Sequence, residues 1–471
     1  MTLRTPESMR RAHGLKGRRR TEMGLLVLAS VVIVAAYTLM VLGTTSSLPT
    51  DAVPLLVAMF LLAAMAHVAN RVLAPDATPV ILPIAFLLNG LGYVMIVRID
   101  LLPFHPPHFH PQAPFQLVWS AVGVAAYVLT LFVVRRSRDL DRYRYLLLLG
   151  GIGMLLLPLA PGIGLSIGGA RLWVHLGSLE FQPVELAKIL LCIFFASYFA
   201  EKREILTIPT ARVGNRLVLD PRPLVPITLA WVFCIGVMSL EHDIGFSALL
   251  FTLFMGMLWV TTGRFGYLVL GLVLFGVGAY ISVRYFSQTQ VRVDDWLDPW
   301  KYAHTSGLQL VQSWYAMGSG GLGGTGLGLG QGAALIPLSN ADFIFAVIAE
   351  EMGLFGATMV VVAFLLLVGA GLRIAQAAKS EFAKLTATGL TLIIGFQAFF
   401  IIGGVVRLLP LTGITLPFVS YGGSALIANY VLIALLMRVS DEGSQAVDAA
   451  ERQQFEDVQT RRRQLVAGPR R

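Results

Sequence analysis

Twelve long apolar runs decide what this chain can become. They lie near residues 23–43, 53–72, 79–97, 116–134, 145–162, 184–200, 223–240, 244–261, 266–283, 343–371, 386–409 and 418–437. A run of about 20 apolar residues is long enough to span a bilayer as a helix. Backbone amides in hydrocarbon must pair within their own segment, so continuous runs imply helices. A β-barrel would show alternation over about 10 residues instead. Composition agrees: of 471 residues, 56% are hydrophobic and 13% charged, whereas soluble domains carry about 25% charged residues. The expected fold is an all-α integral membrane protein, a polytopic bundle of about 12 transmembrane helices.

Lysine and arginine set the expected orientation. With the basic start "MRRAHGLKGRRR" placed inside, the loops beginning "RRSRDLDRYR" and "EKREILTIPT", the turn at Arg264, "RIAQAAKSEFAK" and the tail after Arg438 also fall inside. With Arg71 these segments hold 29 of the 36 basic residues, and the opposite side holds six. One helix more or fewer would scramble that split. The net charge of +9 is thus explained by anionic membrane lipids at the inner leaflet and calls for no nucleic acid. The first run is too long for a signal peptide and reads as an uncleaved anchor. Both termini are expected to be cytoplasmic. Cys192 and Cys234 fall within spans, which favours free thiols acting as small hydrophobes over a disulfide or zinc site.

Three segments on the opposite, outer side are long: 98–115, 163–183 and 284–342. Long loops usually carry function, and an outward site has no ATP or nicotinamide cofactor to draw on. The third contains "WLDPWKYAHTSGLQLVQSW" (296–314) and then "GSGGLGGTGLGLGQG" (318–332). The latter includes a literal G-x-G-x-x-G, but no strand precedes it, and no Lys-Ser or Lys-Thr closes a P-loop. Its glycines suit either close approach to a lipid phosphate or sugar, or a tightly turned re-entrant loop. His105, His108 and His110, in "HPPHFHP", read better as solvated loop histidines than as metal ligands, because the prolines extend the chain and no acid or cysteine lies nearby.

Ionisable residues inside spans point to function by default. Glu185 and Lys188 are three apart and share a helix face. They read either as an ion pair between helices or as the polar wall of a cavity. Glu241 and Asp243, at the start of the eighth run, and Asp342, Glu350 and Glu351, at the start of the tenth, are expected in the outer half of the membrane or near its middle. They suit a cavity for a polar headgroup, or equally a proton or cation path.

"RLLPLTGITLPFVSYGGSAL" (407–426) closely resembles the signature of the SEDS family, the RodA, FtsW and SpoVE proteins of bacterial cell-wall synthesis, over Pro410, Thr412, Gly413, Pro417, Ser420, Tyr421, Gly422, Gly423 and Ser424. "GARLWVHLGSLEFQPVELAK", with Arg171, Trp173, Gln182, Glu185 and Lys188, resembles a second family element. "EHDIG" resembles a third, keeping Asp243 and Gly245. "QLVW", "GLQLVQSWYAMGSGGLGGTGLG" and "DFIFAVIAEEMG" follow in family order. "LLNGLGYVMIVRID" makes the chain most similar to actinobacterial RodA-type members. The resemblance covers roughly 79–438. It implies a 10-helix core preceded by two additional N-terminal helices (23–78), a basic cytoplasmic segment (1–22), an extracytoplasmic loop (284–342) and a polar cytoplasmic tail (439–471). It also implies residence in a bacterial plasma membrane.

The implied activity is polymerisation of lipid II, an undecaprenyl-pyrophosphate-linked disaccharide-pentapeptide, into glycan strands outside the membrane, beside a class B penicillin-binding protein. The family loop reads close to L-D-P-x-x-D-P-x-G-x-G-Y-Q-x-x-Q-S, and its second aspartate is the one held to be catalytic. Laid without gaps on this chain, the first Asp-Pro is Asp298-Pro299 and the second falls on Tyr302-Ala303, while Gly307, Gln309, Gln312 and Ser313 match. Ile401 and Leu338 stand where an asparagine and a glutamate are usual. A tyrosine with pKa near 10 is a poor base at neutral pH. Three explanations follow: Asp298 takes over, Asp294 or Asp295 does, or the chain serves as a non-catalytic partner of the penicillin-binding protein. A lipid-linked oligosaccharide transporter is a further alternative. By the resemblance, Asp298 is the expected catalytic acid. Arg171, Glu185, Lys188, Asp243, Gln309, Gln312, Asp342 and Ser420 are the expected substrate-binding residues. A divalent cation could help the pyrophosphate leave, with no dedicated ligand set in view.

Overall fold

The computed structural model describes residues 6–46, 52–102, 110–167, 170–176, 179–207, 211–213, 216–218, 222–240 and 244–467. The chain opens with α1 (Pro6–Thr45), α2 (Ala52–Leu73), α3 (Ile81–Asp100) and α4 (Ala113–Val133). A short α5 (Ser137–Arg142) leads into α6 (Arg144–Leu156), α7 (Val184–Thr207), α8 (Val225–Leu240), α9 (Ile244–Thr262) and α10 (Phe265–Tyr285). The long 284–342 segment carries α11 (Ser287–Leu297), α12 (Leu308–Gly320) and the single turn α13 (Gly332–Leu335). The chain closes with α14 (Ile344–Glu351), α15 (Gly353–Ala377), α16 (Glu381–Val405) and α17 (Gly423–Ala467).

Every one of the twelve apolar runs is helical, and among the described residues nine helices are long and apolar enough to cross a membrane. The other three runs fall short for separate reasons. α6 and α8 have 13 and 16 residues, and α7 has 24 but carries Glu185, Lys188 and a charged last turn. The run 343–371 is two helices rather than one. Gly353, at φ +66°, breaks it between α14 and α15, a conformation glycine takes without steric cost.

The fold also contains two small antiparallel sheets that the run pattern does not announce. β1 (Gly164–Ile167), β2 (Ala170–Leu176) and β3 (Leu179–Phe181) form one, with Leu165 opposite Trp173 and His175 opposite Glu180. β4 (Ala211–Val213) and β5 (Arg216–Val218) form the other. The first follows period-2 alternation in "ARLWVHL", which places Arg171, Trp173 and His175 on one face.

α3 and α17 sit at the centre of the bundle, whereas α10 shows its apolar side chains all round and lies at the edge. Such an exposed apolar helix is stable where lipid is the solvent. At one end, Arg438 of α17 donates to the carbonyls of Leu73 (2.8 Å), Leu131 (2.6 Å) and Val134 (2.6 Å). It thereby satisfies the orphan C-terminal carbonyls of α2 and α4. α1 and α2 are joined by buried polar groups. His67 Nδ1 lies 2.8 Å from Glu22 Oε1, and Tyr127 of α4 donates to Asn70 at 2.5 Å. The 284–342 segment, the first sheet and the 407–422 turn gather at the opposite end, called here the loop end.

Candidate functional site

The 407–422 turn is the hub of the loop end, and the signature residues explain why. Pro410 and Pro417 keep it from helix. Side chains from α11 and α16 donate to its carbonyls, and its own Ser420 and Tyr421 donate outward to the 340–341 segment. Arg292 of α11 donates to Thr412 O (2.7 Å), Gln397 of α16 donates to Thr415 O (3.0 Å), and Ser420 donates to Ala341 O (2.6 Å). Tyr421 N donates to Asn340 O (2.9 Å). Gly245 opens α9 where a Cβ would collide with Thr412 O, so the glycine of "EHDIG" is a close-approach residue.

Beneath the hub lies a buried polar cluster. Lys188 pairs with Glu185 on α7, donates to Gln397 Oε1 at 2.9 Å, and sits 5.6 Å from the centre of the Phe246 ring. Both charged side chains are almost fully buried, and Glu185 Oε1 has no partner among the described residues. Gln397 is the residue that the sequence reading missed. A lone amide in the middle of the 386–409 run was the available signal.

Beside the hub is a cavity of about 340 Å³ between α8, α9, α10, α11 and α16. Its walls are mostly apolar, including Phe251, Leu274, Phe275 and Phe400, and Arg292 and Thr412 give it a polar end. Glu185 and Lys188 are not among its lining residues. Asp342 stands next to this end, one residue after the carbonyl that Ser420 holds. Burial pushes its carboxyl up to about 6, against the downward pull of the Arg292 guanidinium. A carboxyl whose pKa is raised by folding contributes stability below its unfolded value that is lost as pH rises through the folded value. Asp342→Asn removes this titration. The variant should therefore gain on the parent in melting temperature, measured in detergent, between pH 4 and pH 7. A difference that stays constant across that range would contradict the assignment.

The 298–307 turn answers how this loop uses its acids. Asp295 is buried and accepts from Ser306 Oγ at 2.7 Å, so it closes the turn; burial pushes its carboxyl up, offset in part by that hydrogen bond. Tyr302 supplies its carbonyl to the amides of Thr305 (2.9 Å) and Gly307 (3.0 Å), and its ring lies 5.2 Å from Lys301 Nζ. Asp298 ends α11, is exposed, and its carboxylate has no hydrogen-bond partner among the described residues. Of the acids Asp294, Asp295 and Asp298, Asp295 is engaged by Ser306, whereas Asp294 and Asp298 have no described hydrogen-bond partner for their carboxylates; Asp298 is the exposed one and Asp294 is half-buried.

The structure thus brings together Glu185 with Lys188, and Asp342 with Ser420, around one hub. Gln309 and Gln312 lie half-buried on α12. Arg171 is exposed on β2. Asp243, and His105 and His108 of the histidine-proline segment, lie outside the described residues. Glu350 and Glu351 are both buried and engaged by the chain itself. The amides of Gln331 (2.9 Å) and Gly332 (2.7 Å) donate to Glu350, and Gly328 N (2.9 Å) and Arg98 (3.0 Å) donate to Glu351. The glycine-rich segment is therefore a nest of backbone amides filled by the chain's own carboxylates. Gly328, at φ +82°, also sits where a Cβ would strike Met40 O of α1, which favours the tightly turned reading of that loop.

A family model described as cell cycle protein, of the FtsW, RodA and SpoVE type, matches residues 78–445. The peptidoglycan glycosyltransferase RodA of Mycobacterium tuberculosis is 40% identical over 428 residues, covering 90% of this chain and 91% of that protein. The solved rod shape determining protein RodA of Thermus thermophilus is 26% identical, with a TM-score of 0.51, over 76% of this chain and 94% of its own. A chain in a peptidoglycan synthase complex that coordinates polymerization and crosslinking shares the fold, at a TM-score of 0.54 and 24% identity over 83% of this chain and 97% of its own. With a match over most of its length and a relative this similar, the chain belongs to the FtsW, RodA and SpoVE family of multi-pass membrane proteins.

Proposed function

We propose that this chain is a peptidoglycan glycosyltransferase that polymerises lipid II at the outer face of a bacterial plasma membrane. The observation that carries the reading is the course of α11. Its first half roofs the apolar cavity with Thr289, Arg292 and Val293, and its C-terminus delivers the exposed Asp298. A polyprenyl chain suits the apolar walls, and Arg292 meets the pyrophosphate charge. Asp298 takes the proton of the acceptor hydroxyl as the new glycosidic C–O bond forms and the bond to the pyrophosphate oxygen breaks. The 29-to-six split of basic residues supports cytoplasmic termini and an outward loop end. Among the described residues, no group of three His, Cys, Asp or Glu side chains is close enough to hold a metal ion, and no step here is routed through a cation. Likeness to a chain of a synthase complex supports work beside a class B penicillin-binding protein.

A second reading, a non-catalytic partner of that protein, draws on Tyr302 in the family's catalytic position. Purified protein in proteoliposomes, given lipid II with and without the penicillin-binding protein, separates them. The expected result is glycan strands longer than one disaccharide. Translocated but unpolymerised lipid II would indicate a transporter, and no polymer under either condition would overturn the enzymatic reading.

A further inference from the structure

Arg407 is a residue out of place by ordinary backbone rules. It adopts φ +63°, a left-handed conformation uncommon for residues with a Cβ. Such strain persists only where surrounding contacts hold it, and it marks sites where geometry matters. The contacts here are specific. Arg407 Nε donates to Trp296 O (2.9 Å), and Nη2 donates to Leu297 O (2.7 Å). Trp296 Nε1 returns a bond to Arg407 O at 3.1 Å. The guanidinium stacks 5.3 Å from the centre of the Trp314 ring, whose Nε1 donates to Val405 O at 2.9 Å.

Trp296 and Leu297 carry the last carbonyls of α11, and the next residue is Asp298. A guanidinium from more than a hundred residues away therefore caps the helix that delivers the acid. From the middle of the same helix Arg292 reaches back to the hub carbonyl of Thr412. Two arginines clasp α11 to the hub reciprocally, one from each side. The bonds of Arg407 are solvent-exposed, where hydrogen bonds and ion contacts add little to folding. Strained backbone that gains little stability is better explained by what it holds in place.

We infer that Arg407 is a positioning residue for the polymerisation reaction: it fixes the end of α11 so that Asp298, which follows it, is held in one place. The inference rests on the enzymatic reading above. Only the guanidinium makes both bonds, and a displacement of about 1 Å at a reacting group can lower a rate by about 10²-fold.

The test uses full-length protein carrying Arg407→Gly, Arg407→Gln or Arg407→Lys. Glycine accepts a positive φ without strain, so it removes the guanidinium while easing the backbone. Two readouts are needed. The first is amide hydrogen exchange over residues 294–307, which does not depend on activity. Exchange should rise in Arg407→Gly and Arg407→Gln, with melting temperature close to the parent. The second is lipid II polymerisation: kcat should fall about 10- to 100-fold with KM within about threefold. Arg407→Lys, with one point donor, should fall between. Unchanged exchange in Arg407→Gly would overturn the clasp whatever the activity. Raised exchange with parental kcat would overturn the positioning role while leaving the enzymatic reading intact. If the parent makes no polymer, the enzymatic reading fails, and the positioning role falls with it.

Discussion

Lys188→Met should destabilise the folded protein by about 3–5 kcal/mol, the cost of leaving one member of a buried ion pair without the other. Lys188 and Glu185 are almost fully buried, they pair on one face of α7, and Lys188 also holds Gln397. Gln397 in turn holds Thr415 of the hub. Removing the ammonium leaves Glu185 charged and alone in a low-dielectric interior and unties α7 from the hub. Replacing both partners, as in Glu185→Gln with Lys188→Met, should recover much of the loss, because a neutral pair leaves no buried charge. Denaturant unfolding of the detergent-solubilised single and double variants measures this. The same experiment separates the two sequence-level readings of the pair. A structural pair gives a large single-variant loss and a smaller double-variant loss. The wall of a hydrated cavity would give single losses under about 1 kcal/mol, as at exposed pairs.

The spans were legible because a membrane helix is written as a long continuous apolar run, and all twelve runs are helices. Other features were hidden for specific reasons. The break at Gly353 falls inside an apolar run whose hydropathy does not change there. The β1–β3 sheet depends on alternation over only a few residues between two spans. In the 284–342 segment, the resemblance located the loop but could not say which of its acids stays unengaged. That needed the Ser306 bond to Asp295 and the turn around Tyr302. Glu350 and Glu351 look, in sequence, like acids facing a cavity. Folded, they fill the amide nest of the glycine-rich segment, because amides nearly 20 residues or more upstream turn back onto them. Arg292 and Arg407 were visible only as outer-side positive charge. Their roles depend on carbonyls brought to them across more than a hundred residues, Thr412 O of the hub for Arg292 and Trp296 O and Leu297 O of α11 for Arg407, which no local pattern encodes. Arg171 belongs to a recognisable motif, and the fold puts its side chain, exposed, on β2.

The loss expected for Asp298→Ala is larger still in activity. A positioned general base contributes about 10²- to 10⁴-fold, and Asp298 is the carboxylate at the end of α11 that no described side chain engages. Tyr302 is committed to its turn through its carbonyl, and its hydroxyl is a poor proton acceptor near neutral pH. The measurement that tests this most directly is the initial rate of lipid II polymerisation by the purified full-length protein beside Asp298→Ala and Tyr302→Asp. Polymer from the parent that falls at least 100-fold in Asp298→Ala, with Tyr302→Asp no better than the parent, is the predicted result. No polymer from the parent but polymer from Tyr302→Asp would contradict it, and would mean that the loop lost its catalytic acid and the protein acts through a partner.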